Sequence, residues 1–213
     1  MDVSARIWDR LVTAGDKRLF LAGETVLRQG DPPTHVLVLM SGRVKVLLTL
    51  PDGNVLLLAV RGAGELLGEV AVLGGDGRSA TVVALDPCRT CVVPADRFRS
   101  LMRSAELEAE VLRRAMRRIR EAETWRAETA ALPAGPRVIR ALVRLAVPGS
   151  GGRVDVGLDQ TEIGQAIGLS RSVVAAELAR LREQGVITTT RRRTVINDMP
   201  RLRALAESGH GSV

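Results

Sequence analysis

Between Leu19 and Val93 the chain cannot run far before a glycine turns it. Thr25-Val26-Leu27-Arg28-Gln29 stops at Gly30-Asp31, and the apolar run 36–40 stops at Ser41-Gly42. Residues 44–48 lead into Pro51-Asp52-Gly53. Proline presets φ at a turn's first corner and glycine accepts the positive φ that follows, so this turn predicts a hairpin with 54–60 as the returning strand. Residues 81–85 and 90–93 add two further β segments. Short strands at roughly ten-residue spacing predict a barrel or a sandwich. Aromatics are only 2% of the residues, so Leu, Val, Ile and Ala must fill the core.

The texture changes at Pro94. Residues 95–102 read as a short helix with the proline at its start. Residues 106–131 hold neither glycine nor proline and are rich in Glu, Ala and Arg, which predicts a helix of about seven turns. Leu112, Met116 or Ala115, Ile119, Ala122 and Trp125 or Arg126 fall roughly on one line along it. Such a stripe suits a two-stranded dimer seam; the alternative is a helix packed on its own domain. Leu132-Pro133-Ala134-Gly135-Pro136 ends the helix and predicts a hinge. Another helix follows over 137–146, closed by Pro148-Gly149-Ser150-Gly151-Gly152, and Val154 and Val156 alternate as a small strand.

From Leu158 to Leu181 the pattern is helix, glycine turn, helix, with the turn at Gly168. Ser170 can cap the second helix, and Gly185 ends it. Residues 186–188 and 194–196 then form a β wing. A helix-turn-helix places the start of its second helix in the major groove of DNA. The exposed candidates there are Ser170, Arg171, Ser172 and Ala175 or Ala176. Arg171 suits guanine through its two-pronged donor geometry. Gln160 and Thr161 open the preceding helix, where a phosphate can be held. Arg191, Arg192 and Arg193 in the wing add affinity that is independent of sequence and falls with salt; an ordinary solvated turn is the other reading of this triplet.

The formal net charge of +7 points to a polyanionic partner, nucleic acid ahead of membrane. No run approaches the roughly 18 apolar residues of a membrane span, and the first residues carry charges rather than a long apolar stretch. A cytoplasmic protein is expected. Cys88 and Cys91 form a Cys-x-x-Cys pair, but a zinc site needs about four ligands, and the only histidines are His35 and His210. Strand spacing sends the two thiols to opposite faces, so both are expected to be ordinary small residues. With no clustered metal ligands and no nucleophile–base pair, an enzyme is not expected, and no cofactor is called for.

The segment Gly64-Glu65-Leu66-Leu67-Gly68-Glu69-Val70-Ala71-Val72-Leu73, followed by Arg78-Ser79-Ala80-Thr81, carries the chemistry of the β-rich half. Backbone N–H groups at a helix start bind anions, and glycine lets a phosphate come close. Gly68 supplies that helix start, and Leu67 before it and Val70 two residues after it are further candidate contacts. Arg78 can neutralise the phosphate with a bidentate contact, Ser79 can donate another hydrogen bond, and Glu69 can accept from a ribose hydroxyl.

This segment resembles the phosphate-binding cassette of cyclic-nucleotide-binding domains. From about Phe20 to Thr194 the chain resembles the CRP/FNR superfamily of bacterial transcription regulators. Gly30, Gly42 and Gly53 fall where that family places turn glycines. Glu162-Ile163-Gly164-Gln165 and Leu169-Ser170-Arg171 fit its helix-turn-helix. The resemblance implies an α+β fold: a β-roll or jelly-roll cyclic-nucleotide-binding domain over 1–105, a dimerisation helix over 106–132, and a winged helix-turn-helix over 133–207. It also implies ribose and phosphate contacts for Glu69 and Arg78, cAMP or cGMP as effector, and a homodimer on a pseudo-palindromic double-stranded operator, with RNA polymerase as a further partner.

Two departures qualify the resemblance. Members that respond to cAMP hold the adenine with a Thr-Ser pair on the dimer helix. The matching stretch here is Glu121-Ala122-Glu123-Thr124-Trp125, which leaves Glu123 and Thr124 as the candidates. Trp125 either stacks on a base or packs in the hinge. Ser79 after the arginine is closer to the cAMP pattern than to the cGMP one. In the reading helix, the glutamate that follows the matching arginine in the best-known members is Ser172, and a further arginine is Ala176. Serine discriminates less than glutamate, so an operator other than the usual TGTGA half-site is expected. The alternative keeps fold and DNA binding without the nucleotide, under control of redox state, abundance or another effector such as a cyclic dinucleotide.

Overall fold

The computed structural model describes residues 3–148, 154–190 and 193–208. Packing divides the chain into two units, Met1–Thr49 with Arg61–Thr124, and Leu50–Val60 with Trp125–Val213. Each is described by itself.

The first unit opens with α1 (Val3–Thr13), then β1 (Asp16–Phe20), β2 (Thr25–Leu27), β3 (His35–Ser41) and β4 (Val44–Thr49). β5 (Val55–Arg61), which apart from Arg61 falls in the second unit, follows the Pro51-Asp52-Gly53 turn. Then come β6 (Glu65–Leu67), α2 (Glu69–Gly74), β7 (Thr81–Ala84), β8 (Cys88–Pro94), α3 (Ala95–Leu101) and α4 (Ala105–Ala131). One antiparallel sheet has the order β1-β8-β3-β6. A second pairs β2 with β7 and β7 with β4.

The apolar run of β3 is buried on both faces, and strand alternation explains why. Leu37 and Leu39 join Phe20, Val44, Val82 and Cys88 in the core between the sheets. Val36 and Val38 point the other way, into a core closed by Ile7 and Leu11 of α1, Phe98 of α3, and Leu107 and Val111 of α4. Cys88 and Cys91 separate in the same manner, one in each core, both fully buried and both free. The opposite-face expectation for the two thiols therefore holds.

Three elements of this unit carry no clear sequence signal. α1 is amphipathic, with Ile7 and Leu11 inside. β1 is an edge strand whose first four residues are exposed. β6 has only three residues.

The second unit contains α5 (Ala134–Leu145), β9 (Val147–Pro148), β10 (Val154–Asp155), α6 (Gln160–Ile167) and α7 (Arg171–Glu183). β11 (Ile187–Thr189), β12 (Thr194–Ile196) and α8 (Met199–Ser208) complete it. α5 packs against α6, α7 and α8, burying Val138, Leu142, Ile163, Val174, Leu178 and Leu202. The wing sheet runs β11-β12-β10-β9. The hinge expected over 132–136 is shorter than the sequence implied. α4 stops at Ala131 and α5 begins at Ala134, so the break is Leu132–Pro133. Gly135 and Pro136 lie inside the first turn of α5, where a missing N–H costs nothing because the first four helical N–H groups have no intrahelical partner.

Candidate functional site

β6 delivers the chain to Gly68, which stands at φ 84° as the residue before α2. A side chain is strained at that φ. It is also sterically excluded, because a Cβ on Gly68 would run into Nη1 of Arg78. The glycine is thus required by the arginine as much as by the turn. Arg99 of α3 holds α2 from its other end, donating through Nε and Nη2 to Val72 O at 3.2 and 2.9 Å.

Arg78 is 4% exposed. Its Nη1 donates to Gly68 O at 2.9 Å and its Nη2 to His35 O at 2.5 Å. Its backbone is pinned to the turn after β2, through Arg78 N to Asp31 O at 3.0 Å and Gly30 N to Arg78 O at 2.9 Å. Burial pushes its pKa down, against the pull of Asp31 and Glu69. His35 is also pushed down, by burial first and then by the charges of Arg78 and Arg18.

Glu69 is buried. Its carboxylate accepts from Nη1 of Arg118 on α4. Nη2 of Arg118 donates to Glu65 Oε2 and to Leu66 O, both at 2.8 Å. Burial alone would lower the Arg118 pKa, but Glu69 and Glu65 outweigh it and raise the value, so the cation is held firmly. Its Nε is a buried donor without a hydrogen-bond partner among the described residues. One turn earlier, Arg114 donates to Gly64 O at 2.6 Å. Arg118 was missed by sequence reasoning. The available signal was the i, i+4 spacing of Arg114 and Arg118 in register with Leu107 and Val111, the helix face turned to the β sheets.

The structure thus brings Gly68, Glu69 and Arg78 together, with Arg118 added. Leu67 needs correction as a ligand contact: its side chain lies in the core between the sheets, leaving only its backbone for a ligand. Ser79 is exposed, and Val70 is 60% exposed. Glu123 and Thr124 are exposed on α4, and Thr124 Oγ1 donates back to Arg120 O at 2.9 Å. No hydrogen bond or ion pair among the described residues links either one to the cassette. Trp125 packs rather than waiting for a base: its Nε1 donates to Ala166 O at 3.0 Å, and the Arg144 guanidinium lies 4.9 Å from its ring centre. On α4, Leu112, Met116 and Ile119 are 57%, 44% and 49% exposed, leaving an apolar stripe uncovered within one chain.

In the reading module, Ser170 caps α7, its Oγ accepting from Val173 N at 3.4 Å and lying 3.0 Å from Ser172 Oγ. Arg171 and Ser172 are exposed in the first turn. Gly164 lets the turn close, since a Cβ there would meet Leu169 O at 2.5 Å. The start of α6 is capped from within the chain. Asp159 caps that helix, its Oδ1 accepting from Thr161 N and Glu162 N at 2.8 and 2.9 Å, while Glu162 returns to Asp159 N. Two backbone donors of the first turn, Thr161 N and Glu162 N, are thus already held by a carboxylate. Arg193 is exposed and sits 3.6 Å from Asp155 Oδ2. Arg191 and Arg192 lie outside the described residues.

A two-sheet β domain, together with a winged helix-turn-helix, defines the class of two-domain transcription regulators. Residues 17–105 match the cyclic nucleotide-binding domain model and residues 136–205 match the Crp-like helix-turn-helix domain model. A CRP-like cAMP-activated global transcriptional regulator of Mycobacterium tuberculosis is 29% identical, over 86% of this chain and 84% of its own. A cyclic AMP receptor protein of Thermus thermophilus is 31% identical, over 80% and 79%. The crystal structure of a CRP-family transcriptional regulator from the same species aligns with a TM-score of 0.70 at 25% identity, covering 90% of this chain and 97% of the other. The chain belongs to the CRP/FNR family. It is a transcription regulator with a cyclic-nucleotide-binding domain and a DNA-binding helix-turn-helix, in a family of regulators rather than enzymes. No described helix is long and apolar enough to cross a membrane.

Proposed function

We propose that the protein is a cytoplasmic homodimeric regulator whose affinity for a pseudo-palindromic operator is set by cAMP or cGMP bound between Gly68 and Arg78. The observation that carries this reading is the buried Arg78 guanidinium lying against Gly68, one residue from Glu69. A cyclic phosphate entering there exchanges with the two backbone carbonyls for Arg78. A ribose hydroxyl shares Glu69 with Arg118. The cAMP response of the curated relatives supports the same ligand class. The uncovered Leu112, Met116 and Ile119 stripe supports dimerisation through α4, which brings Glu123 and Thr124 of one protomer within reach of its partner's ligand. A dimer presents two Arg171 side chains to two half-sites about one helical turn apart, beside RNA polymerase.

One observation favours a second reading. Arg78, Glu69 and Arg118 each already have protein partners, and control by another effector or by abundance is consistent with that. The test is calorimetry with cAMP, cGMP and cyclic dinucleotides, repeated with Arg78→Ala. A saturating ligand at 100 times its Kd should add about 2.7 kcal/mol of stability, and the variant should lose it. No heat with any of the ligands would leave the second reading standing.

A further inference from the structure

α6 is the first helix of the helix-turn-helix, and it ends in a way that a self-contained reading module does not need. A helix leaves its last carbonyls without intrahelical donors. Two of those on α6 are satisfied from other helices. Ala166 O accepts from the Trp125 indole of α4, and Ile167 O accepts from Nη1 of Arg137 on α5 at 3.3 Å. The same Arg137 side chain donates through Nε and Nη2 to Leu132 O, at the end of α4, at 3.1 and 2.7 Å. One guanidinium therefore sits between the negative ends of two helices, where a cation is favoured.

A second contact set lies one turn further along α4. Glu128 Oε1 accepts from Nη1 of Arg140, and Oε2 from Nη2 of Arg144, both at 2.8 Å. These side chains are only 16–24% exposed. Arg144 also covers the Trp125 ring, so indole, carboxylate and guanidinium form one connected cluster. Thr129 comes within 4.0 Å of where a Cβ on Gly168 would stand. Trp125, Glu128, Thr129 and Leu132 follow the i, i+3, i+4, i+7 spacing of a single helix face. That face meets α5 and α6.

We propose that Trp125, Glu128 and Arg137 form a latch that seats the reading module on the last two turns of α4, so that Leu132–Pro133 is a clamped joint and not a free hinge. With the latch closed, the final turns of α4 and the pair α6–α7 move as one body. With it open, the two-residue break alone connects them. The latch is a positioning device: none of its three residues needs to touch a base, a phosphate or an effector. It does not depend on whether a nucleotide binds the cassette.

The test uses the full chain carrying Trp8→Phe, which leaves Trp125 as the sole indole. Adding Glu128→Gln removes the charge that holds Arg140 and Arg144. The expected result is Trp125 emission moved to longer wavelength and more quenched by acrylamide. Amide exchange at the end of α4, in α5 and at the end of α6 should speed up by about fivefold or more, while α7, β11 and β12 keep their protection. A merely structural role would loosen all of these elements together, and that pattern overturns the latch. Unchanged emission and exchange overturn it equally. If Glu128→Gln fails to fold, Trp125→Phe reads the same contact: it keeps a ring beneath Arg144 but removes the donor to Ala166 O. Faster exchange confined to α4's end and α6 supports the latch, and parental exchange overturns it.

Discussion

The cassette and the reading helix solve opposite problems with the same residue type. Arg78 is buried, its guanidinium spent on two backbone carbonyls, and its neighbour Glu69 is spent on Arg118. Arg171 stands in water at the start of α7. The desolvation cost of Arg78 is met during folding, so the proposed ligand would meet a preorganised charge and need only to exchange hydrogen bonds. On the proposed reading Arg171 would make its hydrogen bonds when DNA arrives, and its contribution would go to recognition and not to the fold. The difference predicts that cassette substitutions change stability and binding together, whereas reading-helix substitutions change binding alone.

The largest effects should come from the cassette. Arg78→Ala takes a donor from His35 O and from Gly68 O, which keeps Val72 N, and removes the buried cation proposed to meet the phosphate. Truncating one partner of a buried charged contact costs about 2–5 kcal/mol, so calorimetry should show no measurable effector binding. The unliganded protein should also melt lower, because each buried group left unpaired costs about 1–3 kcal/mol. Gly68→Ala should behave alike, at about 1–2 kcal/mol for the positive φ before the clash with Arg78 is counted. A variant of either kind that keeps the parental melting temperature would break the comparison from the cassette side.

Arg171→Ala should weaken binding to the best operator by about 1–3 kcal/mol and relax the preference at one base pair. Its melting curve should overlay the parent's. Competition gel shifts over a half-site library give the first quantity and calorimetry the second. A lowered melting temperature would mean that Arg171 has a structural partner, and the contrast would narrow.

The core between the two sheets extends the contrast to alkaline pH. Cys88 is pushed up to about 11, by burial first and then by the Asp86 charge, against lowering hydrogen bonds to Asp86 and Arg43 backbone. The folded state then holds the thiol proton more tightly than the unfolded chain, whose thiol titrates near 8.5. Stability from this group is complete below that lower value and is lost as pH rises towards the folded one, at about 1 kcal/mol per pH unit. Melting temperatures from pH 8 to 11 should fall more steeply for the parent than for Cys88→Ala. Parallel curves would remove Cys88 from the account.

Legibility in the sequence followed how local each signal is. The turn glycines, the cassette and the helix-turn-helix are each written in residues within about two dozen positions of one another. Gly30, Gly42 and Gly53 all adopt positive φ, and Ser170 caps α7. Arg118 is 49 residues from Glu69, and its spacing along α4 marks the face it lies on but not the carboxylate it meets. β1 reads as a charged loop because only Phe20 turns inward. Asp159 was passed over because an N-cap carboxylate and a phosphate compete for the same N–H groups, and only the structure shows which one holds them. Trp125 stayed ambiguous for a related reason: its acceptor, Ala166 O, is a backbone group on another helix.

The smallest effect sharpens the reading-module side. Arg193 is exposed, but the buried Asp155 carboxylate stands 3.6 Å away, so part of its charge is already offset when DNA arrives. Replacing a lysine or arginine that neutralises one phosphate lowers the slope of log K against log salt by about one. Arg193→Ala should lower it by less than that, and the loss of affinity should be the same for cognate and scrambled operators. Asp155→Asn should act in the opposite direction, steepening the slope by removing that offsetting carboxylate charge. Should Arg193→Ala instead alter base preference, the wing would be reading sequence, and the division between a charge that positions and a charge that specifies would have to be redrawn within the module itself.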